Sequence, residues 1–334
     1  MFYLETLSHD PAYNLAFEEY VLRTRTEGDW LILWQNENTV VVGLNQNTLE
    51  EIDPDYVQAQ NIRVVRRSTG GGAVYHDLGN LNFSFITDAG DLETLTMERF
   101  TTPVANALRG LGLDAEASGR NDILVSGRKV SGSAQRLLGS RLLHHGTLLF
   151  DSDGEVIRSA LRPDPEKFTS KSSKSVQSRV GNIRSFLKND MTMPEFIGYL
   201  KSALAEHLTP AALTEDELEE VRTLATEKYG TWEWNYGRSP AFDFHARRRW
   251  PGGTLEVFAN VENGRITDID FRGDFLSVTP PQPLREALHG KKFTPESLTA
   301  ALTDIPLHLY LGTITQEQLL STIFTSNATS APAT

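Results

Sequence analysis

The chain has 334 residues, 39% hydrophobic and 23% charged, the balance of a globular protein with room for two domains. Its 44 acidic and 32 basic residues leave a net charge of −12, which argues against general nucleic-acid binding. There is no cysteine, which excludes disulfides, thiolate-held zinc and any enzyme-bound thioester. No apolar run approaches the roughly 20 residues of a membrane span. The opening MFYLETLSHDPAYN has no basic segment followed by an apolar one, so a cytoplasmic protein is expected.

In chain order, a helix is predicted to begin at Asp10-Pro11, with Asp as N-cap and Pro at the first helical position. Two β-rich runs follow, WLILWQ (30–35) and TVVVG (39–43), separated by the turn-prone Asn36-Glu37-Asn38. The alternation in LNFSFIT (81–87) predicts a half-buried strand. A helix is expected over 94–111, then short strands at DILV (122–125), RKVSG (128–132) and HHGTLLFD (144–151). Residues 162–190 are polar and rich in Ser and Lys, the pattern of a long surface loop of the kind that often serves as a lid. Helices are predicted near 194–208 and from the capping box that opens at Thr214.

The aromatic, Gly- and Pro-containing stretch TWEWNYGRSPAF (231–242) marks a boundary, and the hairpin TLEVFANV…RITDIDFRG turns at Glu262-Asn263-Gly264. Helical patterns follow near 283–289, 295–303 and 315–325. The chain therefore divides into a large domain (1–242), a small α+β domain (243–325) and a disordered polar tail (326–334).

Residues 66–77 read RRSTGGGAVYHD. Three successive glycines are entropically costly, so bare backbone is needed there for a close approach or a positive φ. Neither usual phosphate template fits: no lysine follows Gly72, and Tyr75 stands where a dinucleotide fingerprint needs glycine. A second stretch, GRNDILVSGRKVSGSAQR (119–136), holds Lys129 between strand-like residues and the small Ser131, Gly132 and Ser133. A lysine rising from a strand into such a loop can act as a point charge bridging a carboxylate and a phosphate, although most lysines are simply exposed. His144 and His145 are neighbours on a strand and point to opposite faces, which argues against a shared metal. The basic groups Arg63/Arg66/Arg67, Lys167/Lys171/Lys174/Arg179 and Arg247/Arg248/Arg249 read most simply as solvated faces.

Taken together, RRSTGGGAVYHDLGNLNFSF, the K-V-S-G-S-A loop at Lys129 and HHGTLLFD occur in an order and spacing that closely resemble the lipoate–protein ligases. The resemblance extends over KSVQSRVGNI (174–183) and the WEW-YG-SP linker, and more weakly over the C-terminal region, where LSVTPPQPL (276–284) is less apolar than the family pattern. It implies an α+β fold, a mixed sheet flanked by helices as in biotin ligases and class II aminoacyl-tRNA synthetases, with a small C-terminal α+β accessory domain. It also implies a two-step reaction: lipoate, or octanoate in its place, reacts with MgATP to give the acyl-AMP, lipoyl-AMP for lipoate, and the acyl group passes to a lysine of a lipoyl domain.

By the same resemblance Lys129 is the central cation, contacting the substrate carboxylate and the α-phosphate. Arg67, Gly72, Ala73, Val74, Tyr75, Asn121 and Asp122 would bind ATP or the adenylate, with Asp122 a candidate Mg2+ ligand. Gly71, Gly72, Val74, Ser131, Gly132, His145 and Gly146 would join Lys129 around lipoate. Expected partners are the lipoyl domains of 2-oxo acid dehydrogenase E2 subunits and the glycine-cleavage H protein, approached by a monomer through local basic groups such as Lys171 and Lys174. Segment 231–249, with Gly237 and Pro240, is the expected hinge. Two alternatives stay open: an ATP-independent acyl transferase, which the lack of cysteine disfavours, and a non-catalytic lipoyl-domain binder, which the presence of Lys129 disfavours.

Overall fold

In a computed structural model the described residues are 1–46, 48–90, 96–118, 121–161, 180–205, 207–236, 244–262 and 264–324. Most of the predicted 162–190 loop, including Lys171 and Lys174, lies outside them, as do Gly237, Pro240 and the tail. Among the described residues no helix is long and apolar enough to cross a membrane.

Strands are numbered in chain order. A mixed sheet of eight runs β11 (Thr209–Pro210), β1 (Phe2–Glu5), β2 (Trp30–Trp34), β6 (Asn80–Asp88), β10 (Arg141–Leu149), β9 (Arg128–Leu138), β8 (Asp122–Val125), β7 (Ala115–Ser118). The β1 pairings to β2 and β11 are parallel, and the rest are antiparallel. One face carries helices Glu98–Gly110 and Met193–Leu204, whose Phe100, Val104, Phe196 and Leu200 pack with Leu31, Leu33, Phe83 and Phe85 of the sheet. The other face carries helix Pro11–Thr24, capped as expected by the Asp10 side chain, which accepts from Tyr13 N at 2.9 Å. Its Leu15, Phe17 and Val21 pack with Ile32, Trp34, Ile86 and Leu143. A small sheet lies against this helix: β4 (Arg63–Arg66), β3 (Thr39–Val42) and β5 (Val74–His76), in that order.

This three-layer packing corrects the expectation for 81–87. Strand β6 alternates as predicted, yet it is buried from Asn80 through Thr87 because both faces are covered. Strands β9 and β10 also run further than their β-rich cores suggested, joined by a turn with Gly139 at φ +58°. Ser131, Gly132 and Ser133 therefore belong to strand β9, not to a loop beyond it.

The C-terminal region is a meander, β12 (Phe244–Trp250), β13 (Gly253–Glu262) and β14 (Arg265–Gly273), backed by helices Gln282–Leu288, Pro295–Leu302, Leu307–Leu311 and Gln316–Phe324. Leu255, Val257, Phe271, Leu284, Leu298 and Leu319 form its core. Strand β12 occupies residues expected to belong to a hinge, and Trp232–Asn235 is a helix, so only the part between them escapes description.

His144 shows how tightly the first layer is closed. It is fully buried, stacked on Phe100 (4.6 Å, 18°) and near-parallel to Phe83, with Nδ1 facing Gln135 Nε2 at 3.1 Å. Burial pushes its pKa down to about 3. The unfolded chain protonates this residue below about 6.5 and the folded one does not, so its stabilisation is complete above pH 6.5 and is lost progressively as pH falls towards 3. Lowering pH from 7.5 to 5 should cost about 2 kcal/mol through this group alone. Urea titrations at both pH values should show the paired change His144→Phe, Gln135→Leu weakening the acid sensitivity by that amount; an unchanged pH dependence would assign the loss elsewhere.

Candidate active site

A single transverse row of the large sheet forms the floor of a cavity of about 420 Å³. Trp34 of β2 is paired with Asn82 of β6, and Asn82 with Thr147 of β10. Beyond Thr147 comes Gly132 of β9, whose N–H donates to Thr147 Oγ1 at 3.3 Å, and Gly132 is paired with Asp122 of β8. Residues opposite one another in adjacent strands share a face, so this register alone brings four distant segments to one surface.

Gly132 is the gap in the row, and Lys129 fills it. A Cβ built there would lie 3.2 Å from Lys129 Cε and Nζ, so the missing side chain lets the lysine fold back along its own strand. The ammonium reaches Asp122 Oδ1 at 2.7 Å, with the lysine side chain 39% exposed towards the cavity. Asn121 fixes the neighbouring backbone: its Nδ2 donates to Ser133 O at 2.6 Å, and its carbonyl accepts from Ser133 N at 2.9 Å.

The glycine loop forms the opposite wall, and Arg67 organises it. This side chain is 6% exposed, and it donates through Nε to Thr69 Oγ1, through Nη1 to Val41 O and through Nη2 to Gly70 O (2.6 Å) and Gly72 O (2.9 Å). Four of the five guanidinium N–H groups are thereby committed to the protein, which leaves one for the ATP or adenylate contact that the resemblance implies. Burial lowers its pKa to about 10, so it stays cationic at neutral pH. The loop it curls turns through φ +89° at Gly71, where a Cβ would meet Leu276 Cδ2 at 3.0 Å and Arg67 Nη2 at 3.1 Å. With the carbonyls drawn to Arg67, the N–H groups of Gly72 and Ala73 have no partner among the described residues and line the cavity.

A buried chain of hydrogen bonds ties this loop to the sheet. Thr69 Oγ1 lies 2.8 Å from His145 Nε2, and His145 Nδ1 lies 2.9 Å from Glu18 Oε1. Glu18 accepts from Ser84 Oγ at 2.6 Å, and Ser84 from Trp34 Nε1 at 2.8 Å. His76, at the end of β5, is held near a pKa of about 3 by burial and by the positive charge of Arg67, so it is neutral. Asp77 fixes the following turn, accepting from Gly79 N at 2.9 Å and Asp153 N at 2.8 Å.

Most of the expected site residues meet here. Lys129, Asn121, Asp122 and Gly132 line one end of the cavity, and Gly71, Gly72, Ala73, Val74 and Arg67 the facing wall. His145 and Gly146 belong to the floor, but Gly146 is needed behind it: a Cβ would strike Phe83 Cζ at 2.5 Å and Ser133 Oγ at 2.7 Å. Two residues do not join. Tyr75 turns into the core of the small sheet, its hydroxyl donating to Asn38 Oδ1 at 2.9 Å, and Ser131 is fully buried away from the cavity. Among the described residues no group of three His, Asp or Glu could hold a metal, and Asp122 is occupied by Lys129.

Sequence reasoning missed the contribution of the C-terminal region. Arg249 and Asp274 line the cavity rim, joined at 2.8 Å, although Arg249 had read as part of a solvated face. The run of three arginines hid a period of two: strand β12 places its members alternately. The segment after β14 also clasps the glycine loop. Gly71 N donates to Phe275 O at 3.0 Å, Gly273 N to Asn45 O at 2.7 Å and Asn45 Nδ2 to Ser277 Oγ at 2.8 Å.

A family model described as the lipoyl protein ligase A/B catalytic domain matches residues 10–205. The chain belongs to the lipoate–protein ligase family. A second model, the bacterial lipoate protein ligase C-terminus, matches residues 239–323. This ligase is 42% identical over 323 residues to lipoate-protein ligase LplJ of Bacillus subtilis, covering 95% of this chain and 97% of that one. Among solved structures it is similar to P. falciparum LipL1 in complex with lipoate (TM-score 0.74, 25% identity, 91% of this chain and 94% of the other). It is also similar to a lipoate-protein ligase A bound with ATP (TM-score 0.61, 30% identity, 71% and 97%).

The Arg67 arrangement is open to a direct check. Arg67→Lys keeps a charge but cannot span Thr69, Val41 and two loop carbonyls at once, and should cost this ligase about 1–3 kcal/mol. Denaturation would read the loss, and amide exchange should quicken at Gly70–Gly72. A stable variant with a protected loop would show that the glycines hold their shape without it.

Proposed function

We propose that this ligase activates lipoate with ATP and passes the acyl group to the lysine of a lipoyl domain. The observation that carries the reading is Lys129: a cation in a gap of the sheet, paired with Asp122 and lining one cavity with Gly72 and Ala73, whose N–H groups have no partner among the described residues. In the first step a carboxylate oxygen of lipoate attacks the α-phosphorus of ATP, and pyrophosphate leaves. Two anions must approach, and negative charge grows on the phosphoryl oxygens, so donors fixed beforehand at those oxygens supply the largest help. Lys129 would leave Asp122 for the carboxylate and α-phosphate, with Gly72 and Ala73 N–H and the remaining Arg67 N–H as further donors. A relative bound with ATP supports the nucleotide as co-substrate.

In the second step the acceptor's neutral ε-amine attacks the acyl carbonyl carbon, the amide forms, and AMP leaves with its electron pair as the amine loses a proton. Nothing in this chain need become acylated, in keeping with its lack of cysteine. A Mg2+ accompanying ATP would be held chiefly by phosphates and water, as is usual for this ion, with Asp122 the carboxylate beside it. It would neutralise charge on the leaving pyrophosphate. Residues 1–242 would carry both steps and 243–325 would serve as the accessory domain that completes the cavity rim. Octanoate fits the same chemistry, and E2 lipoyl domains or a glycine-cleavage H protein are the acceptors of matching kind.

Lipoate-dependent exchange of pyrophosphate into ATP isolates the first step. Lys129→Ala should lower it by about 10²–10³-fold while leaving the melting temperature close to that of the native chain, because the side chain is part-exposed. Exchange that survives within a few-fold would remove Lys129 from the centre of the reaction.

A further inference from the structure

Away from Lys129 the cavity contains two buried polar groups that the protein leaves unused. Asn82, 2% exposed, accepts at Oδ1 from Asn80 Nδ2 at 3.1 Å, and its Nδ2 has no partner among the described residues. His76, 3% exposed, has Nδ1 at 3.1 Å from Asn36 Nδ2. Asn36 Oδ1 already accepts from Asn14 Nδ2 at 2.9 Å, so Asn36 presents its amide hydrogens to the His76 ring. That leaves the imidazole proton on Nε2, which likewise has no partner among the described residues. Both side chains flank Trp34: Asn82 lies opposite it in the row, and the His76 ring stands edge-on at 6.3 Å and 74°. Buried donors without acceptors are rare in native proteins, and two beside one cavity point to a ligand atom between them.

We propose that Asn82 Nδ2, with His76 Nε2 beside it, selects the far end of the acyl substrate by donating to the sulfur atoms of a cyclic disulfide. The inference rests on the ligase reading above, which puts the carboxylate at Lys129. Asn82 lies two strands away from Gly132 along the same row, with Thr147 between them already engaged by Gly132 N–H. An extended medium-chain acyl group running along the row from Lys129 therefore ends over Asn82 and His76. A disulfide sulfur is a weak acceptor, and it gives both donors a partner. A saturated alkyl terminus of the same length covers them and offers none, and a site built to hydrogen-bond its substrate rejects the analogue that lacks the bonding atom. Weak acceptors make the discrimination moderate, about tenfold rather than the thousands seen for hydroxyl recognition.

The test is acid-dependent pyrophosphate exchange by the full chain with three acids: lipoate, octanoate, and the lipoate analogue with a cyclopentane in place of the dithiolane. The native chain should favour lipoate about tenfold in kcat/KM over both others, and Asn82→Leu should bring the three values together. An all-carbon ring used as well as lipoate overturns the sulfur contact, and does so without any variant, so a poorly folding Asn82→Leu does not matter. An active Asn82→Leu that keeps the tenfold preference overturns the role of Asn82. No exchange with any of the three acids overturns the ligase reading and the proposal with it, an outcome distinct from the other two.

Discussion

The site depends on one buried guanidinium. Arg67 sits where a cation costs most, and its cost is offset because carbonyls of Val41, Gly70 and Gly72 surround it and the Glu18 carboxylate lies close enough to favour its charge. With two carbonyls of the glycine loop drawn inward, Gly71 N–H is taken by Phe275 O, and the Gly72 and Ala73 N–H groups have no partner among the described residues. The anion binding proposed for the loop would then follow from how its acceptors are satisfied, without a helix N-terminus or a P-loop lysine. The chain from Thr69 through His145 and Glu18 to Ser84 carries the same constraint into the large sheet, so loop and floor are held in a common frame.

The frame is completed from the far end of the chain. Gly71 donates to Phe275, and Leu276 packs where a side chain on Gly71 would have stood, so the loop's third side is supplied by the C-terminal region. Next to it Ser277 accepts a hydrogen bond from Asn45 Nδ2, a second tie between this segment and the large domain. The two rim groups, Arg249 and Asp274, come from the ends of β12 and just beyond β14, so both depend on the meander being folded and seated.

How much of this the sequence disclosed varied with the range of the interaction. Local signals were legible: the Asp10 cap, the Thr214 capping box and the β13–β14 hairpin rest on residues a few positions apart, whereas the need for glycine at 70 and 71 comes from Phe275, Leu276 and Ser277, far away in the chain. The Lys129 region was legible as chemistry and as a strand over 128–132, but its continuation through Ser133 to Leu138 was not, because small polar residues resemble a turn until a neighbouring strand is known to pair with them. Tyr75 and Ser131 were assigned to the site by the family resemblance, and strand alternation sends their side chains elsewhere. The row itself was invisible, since Trp34, Asn82, Thr147, Gly132 and Asp122 are joined only by register, which no single stretch encodes. Asn82 read only as a polar member of a strand alternation; its missing partner sets it apart in the structure, as does that of His76.

Because the floor is a row of paired strands, its length is measured out in strand spacings. Neighbouring strands lie about 4.8 Å apart, so Lys129 at the Gly132 gap and Asn82 are separated by about 10 Å of hydrogen-bonded sheet. The sheet acts as a ruler whose graduations are backbone, not side chain. The distance between the marks is set by the pairing of β9, β10 and β6, so on the proposed reading an acyl chain of a different length would have to lift its carboxylate from the lysine or buckle along the way.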